Sequence, residues 1–355
     1  MRILLVDDDP IFLEELSVLL IGDGHAVVTA PSALAALERL GVERFDVLLT
    51  DLKMPHSSGT QLIRAVHRRW PAVLTVILTG QPEEQSAADA LDLEAFNYIP
   101  KPFRYDSVRS TLDLAEAEIA FRERLCAPRS LDEIRAELEG APPEARVVLA
   151  PPTGPLPLAG SFSQDLDLAR PGALGPMIRS RLEGRPSARV LLAAPGGLLR
   201  RVGAAALGRA MVEVRNAIPR AGRMLVGVDR DALSDGDLVA LRWTLTDRTP
   251  RPFPCGLAGP RRRAMLRELA SGPTDGPRLA DRTGVSGTER IRFYLRYLTR
   301  GGLVTGDESR IALTERGHAA LDFLAELDRS GPRTPEGDLL FGFSEGSWSP
   351  PAVRE

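Results

Sequence analysis

Short apolar runs and amphipathic stretches alternate along the first 120 residues of the chain. The apolar runs are Ile3–Val6, Ala26–Thr29, Val47–Thr50, Val73–Leu78 and Phe96–Ile99. The stretches with helical spacing follow them, at about 11–21, 32–40, 59–69, 83–91 and 105–124. Short uninterrupted apolar strands are typical of a parallel sheet covered by helices on both faces. Five βα units of this size predict a doubly wound α/β sheet of the flavodoxin-like type over 1–120.

The last of these helical patterns continues past the predicted sheet. Its apolar stripe has helical spacing and comprises Val108, Leu112, Ala115 and Ile119. The early part of the stripe is expected to pack on the sheet. Farther on, Phe121 and Leu125 lead either into a connector or into a homodimer formed through this domain and its long helix. We predict a helical connector over 121–145.

A second, smaller α/β pattern occupies 146–247. Its strand-like runs lie at 146–149, 189–193 and 224–228, and a long helical pattern covers 198–218. Pro195-Gly196-Gly197 follows a strand but lacks the Lys and the spacing of a phosphate-binding loop, so we interpret it as a tight turn. Asp229 and Asp231 are interpreted as turn and capping residues rather than metal ligands.

The last third of the chain changes character again. Residues 248–260 are rich in Pro and Gly and predict a linker. Helical patterns at 262–269, 278–283, 286–300 and 315–327 flank strand-like runs at 303–305 and 310–313. Two short helices at a Gly-containing turn, followed by a hairpin, predict an α+β helix-turn-helix domain with a wing over 261–329. Residues 330–355 are rich in Pro, Gly and Ser and predict a disordered tail, with a loosely packed apolar island at 339–343.

Composition and charge predict a globular cytoplasmic protein with an anionic partner. The first strand meets Asp7 at once, so we expect no signal peptide, and no apolar run is long enough to span a membrane. Two cysteines 129 positions apart predict neither disulfides nor a metal cluster. Residues 1–120 carry 10 Lys/Arg and 19 Asp/Glu, whereas 256–300 carry 10 Arg and 4 acidic residues. The basic segment indicates a partner such as duplex DNA.

Acidic residues follow two strands that are neighbours in a flavodoxin-like sheet. Asp7 and Asp8 end the first strand and Asp51 ends the third, so their carboxylates are expected to converge. Like charges at close range need neutralisation, and Mg²⁺ is the usual cation where phosphate is handled. Asp51 is the acid best placed to attack phosphorus and form an acyl phosphate.

The other strand ends offer groups that suit a phosphoryl group. Thr79 supplies a hydroxyl, and Gly80 after it leaves room. Lys101 supplies a compact ammonium, and Pro102 restricts it to extended conformations. Lys53 and Lys101 are the only lysines among 45 basic residues. In a chain so rich in arginine, a lysine indicates a position where an arginine side chain would not perform the same role.

Residues 1–120 resemble a response regulator receiver domain. The matching residues, in order, are Asp7, Asp8, Asp51, Thr79, Tyr98 and the pair Lys101-Pro102. The resemblance implies that a histidine kinase donates a phosphoryl group to Asp51. It also implies that Thr79 and Lys101 bind the phosphoryl oxygens, while Tyr98 moves into the space that Thr79 leaves.

The same resemblance implies a Mg²⁺ site. Asp8, Asp51 and the backbone carbonyl of Lys53 would hold the ion, with Asp7 acting through a water molecule. Mg²⁺ is therefore the expected cofactor.

Two weaker resemblances concern the rest of the chain. Residues 190–246 resemble an archaeal domain of unknown function found beside histidine kinases and receivers, which implies a protein-interaction or sensory role. Residues 261–329, including the run Leu313–Gly317, resemble the winged helix-turn-helix domains of archaeal regulators. The residues expected at DNA bases and phosphates are Thr288, Arg290, Arg292, Arg296 and Arg300, with Arg262 and Arg263 as further phosphate contacts. The acidic wing tip, Asp307-Glu308, argues against a wing contact with DNA.

These expectations combine into a cytoplasmic two-component response regulator whose phosphorylation at Asp51 tunes DNA binding. We expect no separate catalytic domain and no enzymatic activity beyond the chain's own phosphorylation. The alternative is a phosphorylation-dependent signalling adaptor. In that case the C-terminal arginines form a solvated face, and the middle and C-terminal domains bind partner proteins without reading DNA.

Overall fold

The computed structural model describes residues 1–54, 57–80, 93–150, 162–165, 172–246, 257, 259–285, 288–334 and 337–343. In chain order, its strands are β1 (Arg2–Val6), β2 (Ala26–Ala30), β3 (Val47–Asp51), β4 (Lys53–Met54), β5 (Ser57–Ser58), β6 (Leu74–Thr79), β7 (Asn97–Pro100), β8 (Ala127–Pro128), β9 (Arg146–Ala150), β10 (Phe162–Asp165), β11 (Arg189–Ala194), β12 (Arg223–Asp229), β13 (Val304–Asp307), β14 (Arg310–Leu313) and β15 (Leu339–Phe343).

The helices, in chain order, are Pro10–Gly22, Ala33–Val42, Gly59–Arg69, Tyr105–Leu125, Leu131–Glu139, Leu174–Leu182, Gly196–Val202, Ala204–Ala217, Asp235–Thr246, Pro260–Leu269, Gly276–Thr283, Thr288–Arg300 and Glu315–Ser330. The chain forms two compact units. The first unit joins Met1–Ala120 to Cys255–Leu321, and the second joins Phe121–Pro254 to Asp322–Glu355. Within the described ranges, no helix is long and apolar enough to cross a membrane.

The main sheet of the first unit is parallel, with the strand order β2-β1-β3-β6-β7. The predicted five-stranded flavodoxin-like sheet is confirmed, and it places β1 directly beside β3. Alternate residues face two layers of helices, so Ile3 and Leu5 pack on one side and Leu4 and Val6 on the other. The predicted helix at 83–91 lies outside the described residues.

The helix Tyr105–Leu125, called here the long helix, packs on this sheet. Val108, Leu112 and Ala115 are buried in the same core as β1 and β3, as the apolar stripe predicted. Phe121 and Leu125 are fully buried within the chain. They are therefore not the exposed homodimer surface that the sequence left open.

The second unit contains another parallel sheet, with the order β10-β9-β11-β12-β15-β8. The strands predicted at 146–149, 189–193 and 224–228 are present as β9, β11 and β12. The predicted connector contains the helix Leu131–Glu139, whose first turn has the capping box of Ser130 and Glu133. The same connector also contributes β8 at the edge of the sheet, which the sequence did not indicate.

The disordered tail predicted for 330–355 is wrong for Leu339–Phe343. This segment is the buried strand β15, which pairs with β12 on one side and β8 on the other. Gly227 on β12 leaves space for the ring of Phe341, because a Cβ there would lie 2.8 Å from that ring. The prediction failed because the surrounding Pro, Gly and Ser outweighed five residues that are apolar enough to complete a sheet.

The predicted helices and hairpin of the C-terminal region are present, and the first three helices and the hairpin belong to the first unit. Gly276–Thr283 begins at the N-cap Asp275 and ends at the left-handed Gly284. We call the next helix, Thr288–Arg300, the aromatic helix. Its predicted buried side is confirmed, since Ile291, Leu295 and Leu298 are all buried. The N-cap predicted at Ser286 lies outside the described residues.

Candidate phosphoacceptor site

Two carboxylates lie at neighbouring strand ends of the first sheet. Asp51 is the last residue of β3, and Asp7 directly follows β1. The register pairs Val6 with Thr50, so the two acids leave the sheet side by side. The side chain of Asp7 is 3% exposed and that of Asp51 is 13% exposed, which leaves Asp51 the more accessible carboxylate.

Lys101 joins these two carboxylates. Its Nζ donates to Asp7 Oδ2 at 2.7 Å and to Asp51 Oδ2 at 2.9 Å. Burial works to lower the pKa of Lys101, but the hydrogen bonds and charges of both aspartates outweigh burial and raise it above its ordinary value. Lys101 is thus a fixed positive charge beside Asp51. A compact ammonium of this kind suits the oxygens of a phosphoryl group.

The other carboxylate oxygens are held by the backbone. Asp51 Oδ1 accepts from the backbone N–H of Lys53, and Asp7 Oδ1 accepts from that of Asp9, both at 3.0 Å. Asp9 also caps the helix Pro10–Gly22 through its side chain. These bonds fix the orientation of both carboxylates before any ligand arrives.

The predicted convergence of three carboxylates is only partly present. Asp8 is exposed, and among the described residues no three His, Cys, Asp or Glu side chains gather closely enough to hold a metal ion. The oxygens of Asp7 and Asp51, with the exposed Asp8 beside them, still form the hard donor set that Mg²⁺ prefers. The chemistry of these residues therefore suits the ion, although their side chains do not gather around a single point.

Two contributors to the site escaped the sequence reasoning. The ring of Phe12 lies 4.2 Å from Lys101 Nζ, a cation–π contact that helps to hold the ammonium. A Cβ on Gly59 would overlap the backbone carbonyl oxygen of Asp51, so only Gly permits the close approach there. The Ser-Ser-Gly run after Asp51 is a signal for such a glycine, although by itself it indicates only a helix start.

The predicted switch residues are buried at the same end of the sheet. Thr79 ends β6, and its carbonyl accepts from the backbone N–H of Lys101 at 2.5 Å. Tyr98 lies in β7, opposite Ile77, and its ring meets the edge of Phe293 at a centroid distance of 5.3 Å. The structure therefore connects Thr79 to Lys101 through the backbone, whereas Tyr98 contacts the aromatic helix.

The predicted DNA-contacting arginines fall into different environments. Arg296 and Arg300 are exposed and Arg290 is half-buried, while the side chain of Thr288 lies outside the described residues. Arg292 forms an ion pair with Glu308 at the wing tip, with Nε and Oε1 2.5 Å apart. This pair gives the acidic wing tip a role within the domain.

The phosphate contacts predicted for Arg262 and Arg263 are wrong, because both side chains are buried. Arg263 pairs with Glu118 of the long helix at 2.8 Å, and Arg262 stacks over the ring of Tyr297 at 4.4 Å. The run of three arginines at 261–263 does not indicate from the sequence which side chains are buried.

Comparisons with known proteins agree with the fold of the first 120 residues. Residues 3–113 match the family model of the response regulator receiver domain. The transcriptional regulatory protein GlrR of Escherichia coli K12 is 33% identical over 112 residues, covering 32% of this chain and 25% of GlrR. The DNA-binding transcriptional regulator NtrC of Klebsiella pneumoniae is 33% identical over 111 residues, covering 31% of this chain and 24% of NtrC.

Among solved structures, a response regulator receiver domain protein from Clostridium thermocellum is 32% identical, with a TM-score of 0.31. That match covers 32% of this chain and 92% of the other. The matched region spans only about a quarter of the curated relatives (25% of GlrR). The N-terminal part of the chain is a response regulator receiver domain, and the relatives that it resembles are transcriptional regulators.

Proposed function

We propose that the chain is a response regulator of a two-component system that accepts a phosphoryl group from a histidine kinase on Asp51. The carrying observation is the shared contact of Lys101 with Asp7 and Asp51. This contact brings two carboxylates and one ammonium together, which supports the proposed roles of Asp51 as nucleophile and Lys101 as the cation that binds the phosphoryl oxygens. The proposal includes a cytoplasmic location and no separate catalytic activity.

The transfer step needs few groups. A carboxylate oxygen of Asp51 forms a bond to phosphorus, and the bond between phosphorus and the imidazole nitrogen of the donor breaks, leaving its electron pair on that nitrogen. Mg²⁺, when bound, neutralises charge on the phosphoryl oxygens. Asp8, Asp51 and the backbone carbonyl of Lys53 would hold it, with Asp7 acting through a water molecule.

Phosphorylation changes the charge balance around Lys101. It adds about −1.5 to −2 of charge and three acceptor oxygens. Lys101, now shared between Asp7 and Asp51, is drawn to the phosphoryl oxygens, and Thr79 donates its hydroxyl to them. Tyr98 then moves toward the space that Thr79 leaves, so a local change in charge alters the surface around β7.

For the output, we propose that 261–329 is a winged helix-turn-helix domain that binds duplex DNA through the aromatic helix. The support is the order of three helices and a hairpin, together with the exposed Arg296 and Arg300. The α/β domain at 146–247 would serve protein interaction or sensing.

The DNA-binding output is tested by the salt dependence of binding. The chain treated with acetyl phosphate and Mg²⁺ should bind random duplex DNA at low salt. The double variant Arg296→Ala/Arg300→Ala should bind more weakly and lower the slope of log K against log salt by roughly 1.8, about 0.9 for each DNA phosphate that an arginine no longer neutralises. Fluorescence anisotropy over a salt series measures both.

The control for this measurement is Arg68→Ala/Arg69→Ala, which removes two exposed arginines from the receiver domain. It should leave the slope unchanged. Equal slopes for the two double variants would contradict the proposed DNA surface. If the phosphorylated chain does not bind DNA at low salt, the signalling adaptor is favoured. The Arg292–Glu308 ion pair supports the adaptor, because it engages one of the predicted DNA-contacting arginines.

A further inference from the structure

Three neighbouring strands in the parallel sheet of the second unit begin with an arginine. Strand β9 begins at Arg146, β11 at Arg189 and β12 at Arg223, and the register pairs Arg189 with both of the others. Residues paired in register point to the same face of a sheet, and neighbouring strands lie about 4.8 Å apart. The three side chains therefore form a row, called here the arginine row, at the amino-terminal edge of the sheet.

The arginine row lies at the rim of an apolar core. Two residues farther along the same strands, Val148, Leu191 and Leu225 are buried in the core that this face forms with the helix Leu131–Glu139. Each arginine of the row is half-buried. Half-buried like charges at neighbouring positions are unfavourable unless protein groups or a bound anion neutralise them. The partners of each guanidinium therefore decide what the row can do.

Arg146 has partners in the backbone of the chain. Its Nε donates to the carbonyl of Ala141 at 2.7 Å, and its Nη2 donates to the carbonyl of Glu139 at 3.4 Å. Carbonyls at the C-terminal end of a helix carry partial negative charge, which favours a guanidinium there. The position of Arg146 is thus explained by the end of the helix Leu131–Glu139.

Two carboxylates near the arginine row are paired with other arginines. Glu137 forms an ion pair with Arg333. Asp338 is 1% exposed and forms an ion pair with Arg215, with Nε and Oδ2 3.3 Å apart. These acids therefore do not supply an ion-pair partner for the row.

Arg189 and Arg223 retain hydrogen-bond donors. The bonds of Arg189 run from Nη1 to the carbonyls of Ser187 and Ala188, both at 3.4 Å, and its Nε is buried without a hydrogen-bond partner. Within the described ranges, the Arg223 side chain forms no ion pair and no hydrogen bond. Gly337 leaves room for this guanidinium, because a Cβ there would lie 3.0 Å from its Nε.

The electrostatics of this pair favour an anion. Burial lowers the pKa of Arg189, and the charge of Arg223 lowers it further, whereas the attraction of Glu137 opposes this less strongly. An anion between the two guanidiniums would replace their repulsion with two attractions. A carboxylate can be satisfied by the fork of one guanidinium, whereas a tetrahedral phosphate has oxygens for two forks from different directions.

We infer that Arg189 and Arg223 form a site for a phosphate group, carried either by free phosphate or by a small organic phosphate monoester. Arg146 adds positive charge at the same edge of the sheet. The site does not involve Asp51, so the inference goes beyond the proposed function and does not rest on it. It gives the α/β domain at 146–247 a class of ligand for its proposed sensing role.

The test is isothermal titration calorimetry of the full chain with inorganic phosphate, without Mg²⁺ and at constant ionic strength. The wild type should show saturable binding. Arg223→Gln should bind roughly tenfold more weakly, because the phosphate loses charge-assisted hydrogen bonds. Arg189→Gln, a second and independent variant, should weaken binding in the same direction.

Two controls locate the binding. Arg201→Gln changes an exposed arginine on the helix Gly196–Val202, which follows the opposite end of β11, and should bind as the wild type does. Lys101→Gln removes the ammonium of the phosphoacceptor site and should also bind as the wild type does.

Urea denaturation distinguishes a ligand site from a structural role of Arg223. Without phosphate, Arg223→Gln should unfold at the same urea concentration as the wild type or at a higher one, because the substitution removes a repulsion. Phosphate should raise the midpoint of the wild type more than that of Arg223→Gln, since a ligand stabilises the state that binds it. A lower midpoint for Arg223→Gln without phosphate, together with unchanged phosphate affinity, would indicate a structural role and overturn the site.

A parallel titration with glycerol 3-phosphate separates the two sources of the phosphate group. Tighter binding than inorganic phosphate supports a monoester as the ligand, and weaker binding supports free phosphate. The absence of saturable binding by either probe overturns the site. Loss of binding in Lys101→Gln, with Arg223→Gln unchanged, would assign the phosphate to the phosphoacceptor site and also overturn the inference.

Discussion

The Asp51→Asn chain is expected to incorporate no phosphoryl group from acetyl phosphate and Mg²⁺, under conditions that label the wild type. The amide replaces the nucleophilic carboxylate oxygen with a group that does not attack phosphorus. It also removes one of the two carboxylates that hold Lys101. Separation of phosphorylated from unmodified chain on a phosphate-affinity gel measures the effect.

The control for Asp51→Asn is Asp113→Asn, the same chemical change at an exposed position of the long helix. It should be labelled as fully as the wild type. Full labelling of Asp51→Asn would remove Asp51 from the mechanism, whereas loss of labelling in both variants would show that folding, rather than chemistry, is responsible.

The second large effect concerns stability and the buried ion pair of Glu118 and Arg263. Their side chains are 0% and 4% exposed, and Glu118 Oε2 also accepts the backbone N–H of Gly259 at 3.1 Å. Glu118→Gln leaves the Arg263 charge buried without its counter-charge. Breaking one partner of a buried pair costs about 3–5 kcal/mol, so we expect a loss of this size in the free energy of unfolding. Urea denaturation at neutral pH measures it.

Glu118 also predicts a dependence of stability on pH. Burial works to raise its pKa, but the charge and hydrogen bonds of Arg263 outweigh burial and hold it below the ordinary value of 4.5. A depressed carboxyl pKa stabilises the fold above the unfolded value and loses that contribution as pH falls through the folded value. The difference in stability between wild type and Glu118→Gln should therefore shrink in acid.

Glu116→Gln is the matched control, since Glu116 is exposed on the same helix. Its unfolding free energy should change by less than about 0.5 kcal/mol, as is usual for surface substitutions. Equal effects of the two substitutions would mean that the buried pair contributes no more than a surface charge.

The receiver domain was predictable because each of its signals is local. An apolar run of four or five residues defines a parallel strand, and the residue after it defines the site. Asp7, Asp51 and Lys101 could therefore be assigned before any contact was known. Local sequence patterns do not reveal contacts between distant residues. The structure shows that the ammonium of Lys101 bridges both carboxylates and that Phe12 lies beside it.

The errors arose where the partner of a residue lies far away in the chain. Arg263 is buried because Glu118 lies 145 positions before it, and no pattern near Arg263 reveals that residue. Strand β15 is ordered because β8 and β12 accept it on either side. In both cases the local composition correctly indicates a basic or a turn-rich segment. Whether that segment is buried, however, depends on pairing with residues far away in the chain.

The central claim, that Asp51 carries the phosphoryl group, is tested most directly by locating that group in the wild-type chain. The chain is treated with acetyl phosphate and Mg²⁺ and reduced with borohydride, which converts an aspartyl phosphate to homoserine. Peptide mass spectrometry then identifies the converted residue. We predict conversion at Asp51, with Asp7 and Asp8 unchanged. Conversion at another aspartate, or a stable phosphate on a hydroxyl side chain, would contradict the account.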